Sequence, residues 1–129
     1  MAFTIHCDLD ITDGFEPDAL LGSIEFSDGG TAFGERAVYL DTWLCALNQS
    51  ARSIEGGSRE AVIDLIEEPQ PLQVVLDSLG TVHLAFRHKE VIAGTVADFR
   101  SAVAEATNSF VKRVRKLSNS DYELPCEMK

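Results

Sequence analysis

The sequence is poor in cysteine, tryptophan and positive charge, and it has no long apolar run. Its three cysteines are Cys7, Cys45 and Cys126. They are odd in number, far apart and without a C-x-x-C step, a usage that fits reduced thiols in a cytoplasm. No apolar run is long enough to cross a bilayer, and no basic segment with an apolar stretch opens the chain. Neither a membrane span nor an export signal is therefore expected. Catalytic signatures are missing as well. The GTAFGER segment at 30–36 lacks the GK[ST] ending of a phosphate loop, and no G-x-S-x-G or H-E-x-x-H occurs. His6 and Cys7 are neighbours on a strand pattern, so alternation sends them to opposite faces and they make no nucleophile–base pair. Cys45 and Cys126 have no recognisable partner, which argues against a thiol enzyme. No catalytic residue, cofactor or resident metal is expected.

A length of 129 residues, with 45% hydrophobic and 25% charged side chains, suits one soluble domain with a real core. Its unusual bulk property is a net charge of −10. The charge is uneven. Residues 1–77 carry 15 acidic and 3 basic side chains, whereas residues 78–129 carry 6 acidic and 8 basic. An acidic front disfavours nucleic-acid phosphate and anionic membrane as partners, and it suits a basic protein. The plain alternative is that the acids only keep the chain soluble.

The most strongly patterned stretch is 95–117. Val96, Phe99, Val103, Ala106, Phe110, Val114 and Leu117 recur at steps of three and four, which is one stripe of an α-helix. Thr95 with Asp98 three residues on reads as a capping box. Lys112, Arg113, Arg115 and Lys116 crowd the last turns, where the helix dipole favours cations. Such a helix is roughly 34 Å long. Burial of Phe99, Val103, Phe110 and Val114 contributes about 1.5–3 kcal/mol each. The stripe either covers a sheet of its own domain or forms a seam between two copies.

Residues 3–11 alternate. Phe3, Ile5, Cys7, Leu9 and Ile11 face one way, and Thr4, His6, Asp8 and Asp10 the other, as in a half-buried strand with an acidic outer face. A loop with Gly14 and Pro17 leads to a second strand over 20–26, expected to pair antiparallel with the first. Ser27-Asp28-Gly29-Gly30 is a turn signal. Residues 31–34 read as a short return strand or as the lead into a helix. The spacing of Leu40, Trp43, Leu44, Leu47, Ala51 and Ile54 predicts a first helix over 35–54, ended by Gly56-Gly57, with Trp43 as a core anchor. Residues 58–68 suit a short helix or a strand, and the prolines that follow favour the strand. Residues 72–76 and 81–87 read as a hairpin through Asp77–Gly80, with Val91-Ile92 as an extension or a short edge. The resulting class is α+β: a mostly antiparallel sheet of about five strands in the order β-β-α-β-β-β-α, packed against a long C-terminal helix. Residues 1–117 form a single domain, and 118–129 a loosely held tail.

His6, Asp8 and Asp10 share one strand face, but same-face neighbours lie roughly 6.5–7 Å apart. A metal would need ligands from a second strand, and none stands out. A solvated acidic face is the better reading. The residues expected to bind a partner are Asp8, Asp10, Asp13, Glu16, Asp18 and Glu25, with Glu67 and Glu68 as a second patch.

The opening strand pair ending in GSIEFSDGG, the helix carrying LDTWLCAL, the Glu67-Glu68-Pro69 step before a hairpin and the final helix with VADFRSAV form a recognisable layout. Over roughly residues 3–117 it resembles the small acidic immunity proteins of bacterial polymorphic toxin systems, the WapI-type family in particular. The resemblance implies a cytoplasmic protein without catalysis or cofactor, which neutralises a basic cognate toxin or nuclease-like enzyme by direct binding. Other readings of the same acidity are an inhibitor that mimics nucleic acid, a metal-dependent enzyme built on His6, Asp8 and Asp10, and an assembly subunit that pairs with a second copy of itself.

Overall fold

The structure, a computed structural model, describes residues 3–11, 14–15, 19–63, 71–124 and 126. Its elements run β1 (Thr4–Leu9), β2 (Leu21–Ser27), β3 (Ala32–Tyr39), α1 (Leu40–Glu55), β4 (Glu60–Ile63), β5 (Leu72–Leu76), β6 (Val82–Phe86), β7 (Lys89–Gly94) and α2 (Val96–Ser118). The class is α+β, and the long last helix is where the periodicity places it. The single five-stranded sheet is corrected to two antiparallel sheets among the described residues, β1-β2-β3 and β4-β5-β6-β7.

One local misreading contributes to the difference. Residues 35–39 are not helical but complete β3, with Glu35 opposite Ile24 and Tyr39 opposite Leu21. Pairing with β2 overrides the helical period there, and a register shift between Gly22 and Ile24 absorbs the kink at Ala37, whose φ is +56°. α1 then starts at Leu40, whose N–H donates to Leu20 O at 2.9 Å, with no side-chain cap at Tyr39. Val91-Ile92, expected as an extension or a short edge, is the short edge: it lies in β7, which ends the second sheet among the described residues. Arg87 and His88 turn the chain between β6 and β7 with φ of +48° and +70°. That is the backbone of a tight hairpin turn, made here without the usual Asn-Gly or Asp-Gly. The 58–68 segment supplies β4 as far as Ile63, and residues 64–70 lie outside the described part.

α2 follows from its sequence. Thr95 Oγ1 accepts from the Asp98 N–H at 3.1 Å, and Asp98 Oδ2 accepts from the Thr95 N–H at 3.0 Å. Phe99, Val103, Ala106, Phe110 and Val114 are buried as the stripe requires, and Ala102 joins them. α1 buries Leu40, Trp43, Leu44, Leu47, Ala51 and Ile54. The helices pack on each other, α1 against β2, β3 and β4, and α2 against β1 and β7. Asn48 Nδ2 ties them by donating to Thr107 Oγ1 at 3.0 Å.

Aromatic rings join the two sheets. Phe26 and Phe33 of the first sheet stack at 5.3 Å, Phe33 meets Phe86 of the second at 5.6 Å, and Trp43 touches both Phe26 and Phe86. At the seam Arg87 pairs with Glu35. Asp28, in the β2–β3 turn, accepts from Gly30 and Thr31 through Oδ1 and from the Ile92 N–H of β7 through Oδ2. These backbone donors, Ile92 foremost, hold its carboxyl below the ordinary range. Asp77 of the β5–β6 turn reaches into β6, where its Oδ2 lies 2.8 Å from His83 Nε2, a bond that raises the imidazole's affinity for its proton.

The cysteine reading is corrected too. Cys45 and Cys126 form a disulfide that spans 81 positions, and Cys7 alone is a free thiol. Spacing carried no hint of it, because α1 and the tail become neighbours only in the folded chain. Within the tail, expected from sequence to be loosely held, Cys126 is fastened by this bridge, and Tyr122 by its ring packed edge-on against Phe110 at 6.2 Å and by Arg115 Nε donating to its O.

At Gly22 the backbone of β1 leaves no room for a side chain on β2. A Cβ there would stand 2.2 Å from Asp8 O and 2.8 Å from Leu40 Cδ1. Gly22→Ala must push β1 outward, and should cost about 1–3 kcal/mol as overpacking does. Urea unfolding checks it; an unchanged midpoint would mean that β1 shifts freely.

Candidate interaction surface

β1 builds the candidate site because its two faces and its edge have different tasks. Ile5 and Leu9 are buried and Cys7 is half-buried, while Thr4, His6 and Asp8 stand exposed. Burial pushes the Cys7 thiol up to about 12, so it is an inert core-side group, not a nucleophile. On the exposed face His6 lies directly opposite Glu25 of β2, and Asp8 lies opposite Ser23, diagonal to Glu25. Asp10 extends the ladder, its N–H donating to Leu21 O at 2.9 Å, and its side chain is also exposed. Asp8, Asp10 and Glu25 therefore share one face of the first sheet, as expected. Asp13, Glu16, Asp18, Glu67 and Glu68 lie outside the described residues.

The edge is a second feature. Among the described residues β1 pairs only with β2 and ends its sheet. Because Asp10 donates to Leu21, antiparallel alternation turns the backbone groups of Thr4, His6 and Asp8 toward β2. Those of Ile5, Cys7 and Leu9 then face away from it, along the free edge. A groove of about 740 Å³ runs there, walled by every residue of β1 on one side and by Glu105, Ala106, Ser109, Phe110 and Arg113 of α2 on the other. Both in-facing and out-facing residues of β1 line it, so it opens along the strand edge and not on a sheet face.

The α2 wall is the part that sequence reasoning missed. Glu105, Ser109 and Arg113 recur every four residues beside the buried stripe, and this was the available signal. It reads like any solvated helix face until β1 is placed next to it.

Chemically the surface offers hydrogen-bonding backbone, carboxylates and one guanidinium. Among the described residues no three His, Cys, Asp or Glu side chains converge as metal ligands would. Nor is any helix among them long and apolar enough to cross a membrane. No family model matches this chain, and neither does any curated protein or solved structure.

Proposed function

We propose that this chain is a non-catalytic binding protein of the immunity or inhibitor kind, which neutralises a basic toxin or nuclease-like enzyme. The carrying observation is the gathering of Asp8, Asp10 and Glu25, all exposed, on one face of a sheet whose other face is core. Carboxylates arranged this way steer a basic partner and select it by charge, and they repel phosphate-bearing surfaces. In this reading the protein works in the cytoplasm, where the Cys45–Cys126 bridge must resist a reducing thiol pool.

The test is to isolate the tagged chain from its own cells at low salt and at about 0.5 M salt, where screening is nearly complete. The purified pair is then measured for association rate. The reading expects a basic, stoichiometric partner whose association slows roughly tenfold or more with salt, and again with Asp10→Lys/Glu25→Lys. A partner that associates equally fast under all these conditions would refute the acidic face as the binding surface.

A further inference from the structure

The groove beside β1 is complementary to itself. Its lining holds both signs, with Asp8 and Glu105 against Arg113, and His6 beside them as a hydrogen-bonding imidazole. A purely basic strand would meet Arg113, and a purely acidic one would meet Asp8 and Glu105. What fits is an occupant with both signs at the same spacings.

A second copy of β1 has them. An added antiparallel strand must pair with Ile5, Cys7 and Leu9, whose backbone groups face the edge. The register centred on Cys7 pairs all three within the strand: Ile5 against Leu9 of the second copy, Cys7 against its counterpart, and Leu9 against Ile5. It also sets His6 against Asp8 of the second copy, and Asp8 against His6, at the non-hydrogen-bonded positions where side chains lie closest. Sliding one pairing step either way would break the His6–Asp8 pairs, putting His6 against His6 or the two Asp8 carboxylates in direct opposition.

The helix wall repeats the pattern. A two-fold axis at Ser109 sets Glu105 against Arg113 of the second copy, and Arg113 against Glu105. Ser109 at the centre is small enough for close approach. Among the described residues, none of His6, Asp8, Glu105 and Arg113 forms an ion pair within its own chain. Strand and helix border one groove, so one axis can serve both.

We propose that this face joins two copies of the chain in an antiparallel dimer. The β1 strands pair edge to edge about Cys7 into a six-stranded sheet, and the α2 helices pack about Ser109. Such a dimer closes a strand edge that would otherwise template aggregation. It also sets the exposed carboxylates Asp10 and Glu25 of both copies on one continuous face, so the inference goes beyond the binding reading and stands without it.

The test uses the purified full chain alone, so its outcome is independent of any toxin partner. Sedimentation equilibrium over about 1–100 µM should give twice the 14.1 kDa chain mass, with dissociation on dilution. His6→Asp creates like-charge opposition at both symmetric positions and should weaken dimerisation roughly tenfold or more. The exchange His6→Asp/Asp8→His should restore it. Glu105→Arg and Glu105→Arg/Arg113→Glu make the same comparison on the helix, and circular dichroism verifies that each variant is folded. The proposal is overturned by a wild-type monomer throughout that range, by folded single variants that dimerise unchanged, or by exchanges that fail to restore the dimer.

Discussion

Replacing Trp43 with alanine should lower the unfolding free energy by about 3–5 kcal/mol, as large-to-small changes in a packed core do. Trp43 is 2% exposed and sits where α1 meets both sheets. Its ring lies 6.3 Å from Phe26 of the first sheet and 6.4 Å from Phe86 of the second. Phe33 closes the cluster between them. Removing the indole therefore weakens both sheets at once and cannot be relieved by a shift of one element. Trp43→Phe should behave differently. Trp43 Nε1 is buried and has no hydrogen-bond partner among the described residues. An unpaired buried donor costs roughly 1–3 kcal/mol, so phenylalanine loses volume while removing that penalty. The phenylalanine variant is expected to retain most of the stability that alanine loses. Urea unfolding followed by circular dichroism gives both values. Equal losses for the two variants would show that the indole N–H is bonded, to water for example, and that its polarity is in use.

Opening the Cys45–Cys126 bridge should have a comparable effect. With 81 positions between the cysteines, release of the cross-link adds about 4.5 kcal/mol of loop entropy to the unfolded chain in the chain-entropy model. The contacts on the native side are modest: the Tyr122 ring on Phe110 and Arg115 Nε on Tyr122 O. Tyr122 also carries a cost, because its hydroxyl and Asp41 Oδ1 are both buried without hydrogen-bond partners among the described residues. Burial, assisted by the Asp41 charge, pushes its phenol up to about 12. The tail is thus held mainly by the bridge. Cys126→Ser, or reduction, should lower the melting temperature by roughly 15 °C and expose the tail to protease before the core opens. Thiol counting on the native oxidised protein should find Cys7 alone, and slow to react because its thiol is raised and half-buried. Three reactive thiols, or a melt indifferent to reductant, would contradict the bridge.

Legibility from the sequence followed the range of the interactions. The α2 stripe and its Thr95–Asp98 box are local, and both were readable residue by residue. The alternation of β1 was equally plain, and with it the shared face of His6, Asp8 and Asp10. Residues 35–39 misled because nothing within the segment announces its pairing with β2. Arg87-His88 misled because its positive φ values are enforced by the strands that it joins and not by glycine or asparagine. The site was legible in the same proportion. Glu25 could be placed beside β1 by assuming a hairpin, whereas Glu105, Ser109 and Arg113 lie about a hundred positions away and needed the folded chain.

The sequence by itself determined the α+β class, the amphipathic last helix, the acidic outer face of β1 and the half-buried nature of Cys7's side. Each depends on periodicity and charge, which are properties of neighbours along the chain. Only the tertiary structure decided that the strands divide into two sheets joined through Trp43, Phe33 and Phe86, that Cys45 meets Cys126, and that the free edge of β1 faces a charged wall of α2. These arrangements depend on which distant surfaces bury each other, and hydrophobic burial specifies that surfaces meet without naming their partners.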